Sequence, residues 1–491
     1  MKFIQYEWLC FTAAIVLLFG AGPLLAQSDV AVGDALTEAR STDGQYISWR
    51  EHIIDDAAIA GFALSGSDGL VMGDIDRDGV EDIVSVHESD SSYDSSEYDP
   101  DFTPAPEGTV RIAFGAAAPL QWQNVTLAEG VEVPAPEDVD IADVNGDGFL
   151  DVIVAAELSH LLYLQNPGTA VRSTVWPRLI LPMTEGRGSF IRVFFADFDG
   201  DGVPEAAAPN KGAQRPGPAD FATSTPVSVY KVAGDPLNGA SWSETILGHF
   251  SVPQNAEPVD LDSDGDADIV VGTRGEQRLV FFENIGAGTL QFREHAIGIN
   301  GSRAAGFNLE YTDLNGDGRL DIIGATPDGI SWLAQPPLRI DDAWNAHRIG
   351  TFAPDTVTGM EIADINGDGL TDVLVGSYSS GDREEDDTTV GVNDELGRLG
   401  WFENPGLTGT LVTPEVAAQW PRHDISRRKR GMFDKFIARD MDGDGDMDFV
   451  GTRGNSYPHD GVFWLEQVRS AAPQPAFQRA RAIDSPEMPL P

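Results

Sequence analysis

The sequence predicts an all-β protein, a seven-bladed β-propeller built from four-stranded antiparallel blades. Three observations lead to this prediction. An acidic nine-residue loop occurs seven times, short β-type runs surround each copy, and the element that ends a repeat also stands at the N-terminal end of the chain.

The acidic loop has carboxylate or amide side chains at positions one, three, five and nine, and glycine at position six. Its copies are DIDRDGVED from Asp74, DVNGDGFLD from Asp143, DFDGDGVPE from Asp197, DLDSDGDAD from Asp260, DLNGDGRLD from Asp313, DINGDGLTD from Asp364 and DMDGDGDMD from Asp440. Their start-to-start spacings are 69, 54, 63, 53, 51 and 76 residues. Seven copies at a quasi-regular interval exclude a chance match and indicate a repeat architecture.

The flanks of the loop repeat as well. A short apolar run such as DIVVG or DVLVG follows each loop, and an alternating aromatic segment such as RLVFFENIG or LGWFENPG comes next. An aromatic-x-x-His element follows in WREHII, FREHAI, WNAHRI and WPRHDI, and another short strand precedes the next loop. No long helical periodicity interrupts this pattern. Four short strands in a repeated unit of this size are typical of a propeller blade.

The two ends of the repeat array predict a closed ring. WREHII precedes the first loop, and no equivalent element follows GVFWLEQV in the last repeat. We therefore expect the N-terminal strand to complete the last blade, which removes exposed sheet edges. The four histidines of this element are expected to serve strand pairing or packing, because a catalytic group is rarely needed four times around a ring. They are His52, His295, His347 and His423.

The first 26 residues are predicted to be a secretory signal peptide, with an uncleaved anchor as the alternative. One lysine precedes an apolar stretch from about Trp8 to Phe19, and small residues lead to Ala26. The protein is thus expected outside the cell or in the periplasm, with no membrane span after cleavage. The only cysteine, Cys10, lies in this segment, so the mature chain has no disulfide. The predicted domains are 1–26 signal peptide, 27–44 lead-in, 45–468 propeller and 469–491 flexible tail.

The loop pattern indicates calcium, with up to seven ions, one per blade. Calcium takes six to eight oxygen ligands, and glycine at position six permits the sharp turn. An EF-hand is excluded because its twelfth-position glutamate is missing and the flanks are strand-like. The predicted ligands are Asp74, Asp76, Asp78, Asp82, Asp143, Asn145, Asp147, Asp151, Asp197, Asp199, Asp201, Glu205, Asp260, Asp262, Asp264, Asp268, Asp313, Asn315, Asp317, Asp321, Asp364, Asn366, Asp368, Asp372, Asp440, Asp442, Asp444 and Asp448. The third site is the least regular, because EAAAP is a poor strand.

These loops, the VG strand after them and the WFENPG strand resemble FG-GAP/VCBS repeats. Such repeats build the integrin α-subunit propeller and many secreted bacterial proteins, and the resemblance covers roughly residues 45 to 468. It implies a propeller that binds ligands on the face away from its metals. Some propellers of this repeat type resemble polysaccharide lyases or sugar dehydratases.

Charge limits the choice of partners. The chain has 32 Lys+Arg against 79 Asp+Glu, a formal net charge of −47. Such a surface repels nucleic acid and anionic lipid. We expect a monomer that binds an extracellular protein or glycan, with structural calcium. The alternative is a carbohydrate-active enzyme, a carbon–oxygen lyase that acts on an acidic polysaccharide or sugar.

Long insertions are expected on the face opposite the acidic loops, at 87–108, 210–226, 377–397 and 453–461, where they would form a binding surface or solvated decoration. His87 and Arg274 lie near this face, and the weak catalytic candidates are Arg453, Tyr457, His459 and Lys435. An eliminase needs a base and a cation that neutralises a uronate carboxylate, which these residue types can supply. The basic run RRKRGMFDKF at 427–436 would contact an anionic polymer or lie against a neighbouring acidic loop.

Overall fold

The computed structural model describes residues 30–88, 108–173, 175–379, 389–406 and 420–491. The predicted signal peptide lies outside the described residues. So do most of the insertion at 87–108 and the middle of the insertion at 377–397. Among the described residues, no helix has the length and apolar character needed to span a membrane.

The described residues form seven sheets, each with four antiparallel strands, and two sheets carry one extra short parallel strand. In six sheets the four strands follow one another in the chain. The first strand, β1 (Tyr46–Asp56), belongs to the last blade. Blade 1 has β2 (Ser67–Gly73), β3 (Asp82–His87), β4 (Thr109–Phe114) and β5 (Gln123–Glu129). Blade 2 has β6 (Pro136–Ala142), β7 (Asp151–Ala156), β8 (Leu161–Leu164) and β9 (Arg178–Ile180). Blade 3 has β10 (Phe194–Ala196), β11 (Glu205–Pro209), β12 (Thr225–Val232) and β13 (Trp242–Phe250).

The remaining blades follow the same order. Blade 4 has β14 (Pro253–Val259), β15 (Asp268–Thr273), β16 (Arg278–Asn284) and β17 (Phe292–Ile297). Blade 5 has the extra strand β18 (Ile299–Asn300) and then β19 (Leu309–Thr312), β20 (Asp321–Thr326), β21 (Gly329–Ala334) and β22 (Trp344–Gly350). Blade 6 has β23 (Thr356–Ala363), β24 (Asp372–Tyr378), β25 (Gly397–Phe402) and β26 (Arg422–Arg428). Blade 7 has β27 (Phe436–Arg439), β28 (Asp448–Arg453), β29 (Gly461–Ser470), β1 and the extra strand β30 (Phe477–Gln478).

Helices are short. The only α-helical segment among the described residues is α1 (Ala57–Ala60). Turns of 3-10 helix occur at Val32–Asp34, Gly130–Glu132, Gly168–Ala170, Asp220–Ala222 and Gly239–Ser241. The predicted seven-bladed, all-β propeller of four-stranded antiparallel blades is confirmed.

The apolar run after each loop forms the second strand of a blade. These strands are covered on both faces by the neighbouring blades, as in β15, where every residue is buried. The VG motif has a steric cause. A Cβ atom on Gly272 would lie 2.0 Å from the carbonyl oxygen of Gly306 in the next blade, so only glycine allows this close approach.

The core is divided among the interfaces between blades. Seven clusters of buried apolar residues occur in the described chain, and each joins two successive blades. The interface between blades 7 and 1 has its own cluster, in which Trp464 packs with Leu70 and Ile83. The ring is therefore closed by the same apolar packing that joins the other blades.

The predicted closing strand is present. β1 pairs antiparallel with β29 from Tyr46 opposite Ser470 to Asp56 opposite Gly461. His52 of this strand stacks on Trp464 and lies 2.5 Å from Glu466. The other three histidines of the repeat also stack on or lie beside a third-strand aromatic ring. The structure thus gives all four histidines the packing role that the sequence predicted.

The C-terminal segment differs from the flexible tail predicted for 469–491. It packs along the outer edges of blades 6 and 7, where β30 pairs in parallel with β1 and Phe477 is buried. Asp484 and Glu487 lie beside Arg428. The Ala- and Pro-rich composition concealed this order, because the partners lie far away in sequence and no periodic pattern points to them.

Buried acidic residues of neighbouring strands and loops account for the first part of the basic run at 427–436. Arg427 pairs with Asp355 at 2.8 Å, and Arg428 pairs with Glu51 at 2.8 Å. Both arginines are fully buried. Of the two predicted roles, contact with neighbouring acidic residues is the one that the structure shows for this pair.

Candidate functional site

Each acidic loop is folded by hydrogen bonds that its own carboxylates accept. In all seven copies the amide of the sixth-position glycine donates to the first-position aspartate over 2.8–3.1 Å. This glycine has φ between 84° and 101°, a left-handed conformation that favours glycine. The seventh-position amide also donates to the fifth-position carboxylate in every copy. The seven loops therefore share one conformation.

The ninth-position carboxylate is fully buried in every copy. In six copies one of its oxygens accepts a hydrogen bond from the second-position amide. In six copies the other oxygen accepts one from the end of the third strand. Burial raises the pKa of Asp82, Asp268, Asp372 and Asp448 to about 7, and neighbouring loop carboxylates add to the shift. A cation within the loop would offset both effects.

Four loops bring three carboxylates within 4.8 Å of one another, from positions one, three and nine. These sets are Asp74, Asp76 and Asp82; Asp197, Asp199 and Glu205; Asp260, Asp262 and Asp268; and Asp440, Asp442 and Asp448. The other three loops have an asparagine at position three. In these loops the asparagine side-chain oxygen accepts a hydrogen bond of 2.9 Å from the fifth-position backbone amide. Every blade therefore presents acidic groups that could hold a metal ion.

The donor set fits a hard divalent cation. The side chains at the four positions supply only carboxylate and amide oxygens, which are the ligands that calcium takes in proteins. A bound ion would supply charge neutralisation and cross-linking of the first two strands of a blade. The chemistry of these donors therefore suits calcium.

An amide side chain joins each of four loops to the preceding blade; we call this contact the amide latch. It belongs to the last residue of the third-strand segment, the asparagine or glutamine of QNPG, ENIG, AQP and EQV. In each case the side-chain amide donates to a backbone carbonyl of the preceding blade's loop over 2.7–3.0 Å. The pairs are Asn166 with Ile75, Asn284 with Phe198, Gln335 with Leu261 and Gln467 with Ile365. The latch connects the third strand of one blade with the acidic loop of the preceding blade.

Replacing a latch residue is expected to destabilise the ring. Asn284→Ala leaves the carbonyls of the buried Phe198 and the half-buried Ala267 without their donors. We expect the free energy of unfolding to fall by about 1–3 kcal/mol. Chemical unfolding followed by tryptophan fluorescence measures this. Asn300→Ala, at an exposed asparagine, should change the free energy by less than about 0.5 kcal/mol. Equal effects of the two variants would contradict the latch.

The innermost strands place charged side chains at the centre of the ring. Lys435, which precedes β27, interacts electrostatically with three glutamates of these strands. They are Glu257 on β14, Glu310 on β19 and Glu361 on β23. Burial raises the pKa of all three glutamates, and that of Glu361 reaches about 7 even though Lys435 opposes the shift. Lys435, a weak catalytic candidate, therefore lies near the carboxylates of the innermost strands.

Glu361→Gln is expected to stabilise the protein above neutral pH. Because the folded-state pKa of Glu361 is raised, its contribution to stability is full below about pH 4.5 and is lost as the pH rises through about 7. The variant should unfold about 1–3 °C higher than wild type at pH 8, with no difference at pH 4.5. Calorimetry at both values, with the exposed Glu38→Gln as control, tests this. A gap that is constant with pH would contradict it.

The remaining candidates do not form an open catalytic group. Arg453 is buried, with its guanidinium 2.6 Å from the Asp484 carboxylate of the C-terminal segment. His459 lies beside Arg453 at a cavity of only about 10 Å³. The backbone carbonyl of Tyr457 accepts a hydrogen bond from Arg430. His87 is buried between Ser67 and Ser85, and burial lowers its pKa to about 3.

The structure also assembles a buried charged cluster that the sequence pattern did not reveal. Asp68, Glu88 and Glu137 place one carboxylate oxygen each within 4.8 Å of the others. Burial and the neighbouring Glu88 raise the pKa of Glu137 to about 8, and Lys211 beside it pairs with Glu157. These residues come from three blades and share no sequence motif, so only an alignment of the repeats onto the ring could have brought them together.

The chain is similar to known proteins in its repeats and in its fold. The family model described as FG-GAP-like repeat matches residues 121–208, 260–324 and 313–375, which contain five of the seven loops. No curated protein matches the chain at a significant level. A solved Agrocybe aegerita lectin structure, described as showing specific recognition of non-reducing terminal N-acetylglucosamine, is 16% identical with a TM-score of 0.40. That match covers 73% of this chain and 87% of the lectin. BBS1N in complex with ARL6DN is 10% identical with a TM-score of 0.42, over 84% of this chain and 94% of that chain.

Fold and loops together define a propeller of seven repeated blades, each with an acidic turn between its first and second strands. The resemblance inferred from the loops is confirmed by the family match. The chain is an FG-GAP-repeat β-propeller.

Proposed function

We propose that the chain is a secreted, calcium-stabilised propeller that serves as a rigid scaffold for binding an extracellular protein or glycan. The observation that carries the proposal is the set of acidic loops on one face. They share one hydrogen-bonding pattern, and each buries one carboxylate completely. Such loops gain stability from a cation, and seven stabilised turns produce a rigid ring.

The opposite face supports the binding part of the proposal. Antiparallel strands place the connections between second and third strands on the face away from the acidic loops. There Arg274 is exposed, with its guanidinium carbon 5.9 Å from the centre of the Phe221 ring, which is 40% exposed. Arginine and aromatic side chains are enriched where proteins contact partners. We assign this pair to the ligand-binding surface.

A glycan array and a panel of extracellular matrix proteins, probed with the labelled protein in calcium, test the proposal. We expect at least one ligand to bind, with affinity reduced about tenfold or more by Arg274→Ala and by Phe221→Ala. Arg293→Ala serves as control, because Arg293 lies on the outer strand of blade 4 and is 57% exposed. Failure of the wild type to bind any probe, or equal loss in the control, would overturn the proposal.

The alternative of a polysaccharide lyase or sugar dehydratase has no specific contact in its favour among the described residues. Arg453 pairs with Asp484, and Lys435 lies near the carboxylates of the innermost strands. Incubation of the same preparation with acidic polysaccharides, with absorbance of unsaturated uronate as the readout, measures this activity directly.

A further inference from the structure

The third acidic loop contains a cation of its own. Lys231 on β12 extends its ammonium to 2.5 Å from Asp199, 2.6 Å from Asp201 and 2.9 Å from the buried Glu205. These carboxylates stand at positions three, five and nine of the loop, three of the four predicted calcium-ligand positions. A single amino group therefore contacts most of the set that calcium would need.

The register of the blades shows that Lys231 replaces a different residue type. The third-strand residue that pairs with the first residue after each loop is Tyr230 in blade 3, Phe282 in blade 4, Phe402 in blade 6 and Leu465 in blade 7. The residue that follows is lysine only in blade 3. In blades 4, 6 and 7 it is a glutamate, namely Glu283, Glu403 and Glu466.

The neighbouring strand has changed in the same blade. In blades 4, 6 and 7 the glutamate lies 2.5–2.8 Å from the fourth-strand histidine. In blade 3 the matching fourth-strand residue is Thr245, paired with Val229. The glutamate–histidine pair is thus absent from blade 3, and the side chain at the glutamate position turns to the loop instead.

Other cations near the loops make weaker contacts. Arg172 pairs with Asp76 and Asp78 of the first loop, and its side chain is 39% exposed. Arg319 pairs with Asp317 of its own loop. Neither has an ion pair with the buried ninth-position carboxylate in the described structure. Among the described residues only Lys231 does. Burial lowers the pKa of Lys231, but the three carboxylates raise it above its usual value.

We infer that the ammonium of Lys231 is the resident cation of the third loop, so that this loop folds without calcium and the chain has six calcium sites at most. The donor set of this loop does not fit a bound ion while Lys231 occupies it. The inference rests on the proposed calcium binding of the other loops and lowers the expected number of ions from seven to six.

Hydrogen exchange of the wild-type protein, with calcium and then with chelator, tests the inference directly. We expect amides of residues 260–268, 364–372 and 440–448 to exchange at least tenfold faster in chelator, while those of 197–205 change less than twofold. Acceleration at 197–205 equal to that of the other loops would overturn the inference. No acceleration in any loop would instead refute the proposed calcium binding. The role of Lys231 would then be decided by the stability of the Lys231→Glu variant in chelator.

Two reciprocal variants give a second readout, the number of calcium ions per chain in native mass spectrometry. Lys231→Glu restores the residue of blades 4, 6 and 7 and should add one ion relative to wild type. Glu403→Lys installs the lysine beside the sixth loop and should remove one, whereas Glu403→Gln should not. A wild-type count of seven, or unchanged counts in both variants, would overturn the inference.

Stability in chelator decides the matter independently of calcium. Lys231→Glu should lower the unfolding midpoint in chelator by several degrees more than Lys429→Glu. Lys429 is half-buried and, among the described residues, forms no ion pair, so that control carries the same change of charge. Equal midpoints for the two variants in chelator would show that the ammonium of Lys231 is dispensable to the loop.

Discussion

Removal of calcium is expected to lower the thermal unfolding midpoint of the protein by about 10–20 °C. A site held at a hundredfold excess over its Kd contributes about 2.7 kcal/mol, and several sites act on one ring. For a chain of this length, each kcal/mol lost from the free energy of unfolding lowers the midpoint by roughly 1 °C. The physical cause is the buried ninth-position carboxylate, because without a cation each loop has clustered like charges in a desolvated turn.

The measurement is calorimetry of the purified protein in calcium and after chelation. Sodium chloride at equal ionic strength separates general screening from specific binding. Asp268→Asn should abolish part of the calcium response, since it neutralises the buried carboxylate of the fourth loop. Asp235→Asn is the matched control, because this aspartate accepts a hydrogen bond from Leu237 in an ordinary exposed turn. An unchanged midpoint after chelation would refute structural calcium.

Loss of Arg428 is expected to be the most damaging single substitution at the edge of the ring. Its guanidinium is fully buried and lies 2.8 Å from Glu51, 3.3 Å from Asp484 and 3.5 Å from Glu487. These partners belong to β1 and to the C-terminal segment. Arg428→Ala leaves their buried carboxylates short of one cation, and we expect a loss of about 3–5 kcal/mol in the free energy of unfolding.

The control for this prediction is Arg293→Ala, because the Arg293–Glu283 pair is exposed and should contribute less than about 1 kcal/mol. A second measurement separates the arginine from the segment that it holds. A chain ending at Ser470 lacks β30, so β1 becomes an edge strand, and hydrogen exchange of β1 should accelerate. Full protection of β1 in the shortened chain would contradict a role for the C-terminal segment in closing the ring.

Most of the fold could be predicted because the signal was repeated. Each blade contains the same loop, the same buried second strand and a similar third strand. An irregular copy can therefore be assigned by comparison with the regular copies. The missing fourth strand after GVFWLEQV even predicted that β1 would pair with β29. Single features lacked this support. The order of the C-terminal segment depends on Phe477, Asp484 and Glu487, whose partners the local sequence does not indicate.

The site shows the same division. The spacing of oxygen side chains and glycine predicted the loops, since a tight turn imposes its ligand positions locally. The amide latch was visible as a recurring asparagine or glutamine, but its acceptor lies in the preceding blade. The weak catalytic group of Arg453, Tyr457, His459 and Lys435 lacked any spacing rule, and the structure gives Arg453 and Lys435 carboxylate partners.

The sequence by itself determined the blade count, the strand order, the closing strand and the acidic loops, because these depend on contacts within one repeat or on its periodicity. Only the tertiary structure decided which charges meet. The proximity of Lys231 to the third loop, of Arg428 to Asp484, and of Asp68 to Glu137 depends on the register of strands and the packing of neighbouring blades. A chain with a net charge of −47 has many possible partners for each cation, and burial in the folded ring selects among them.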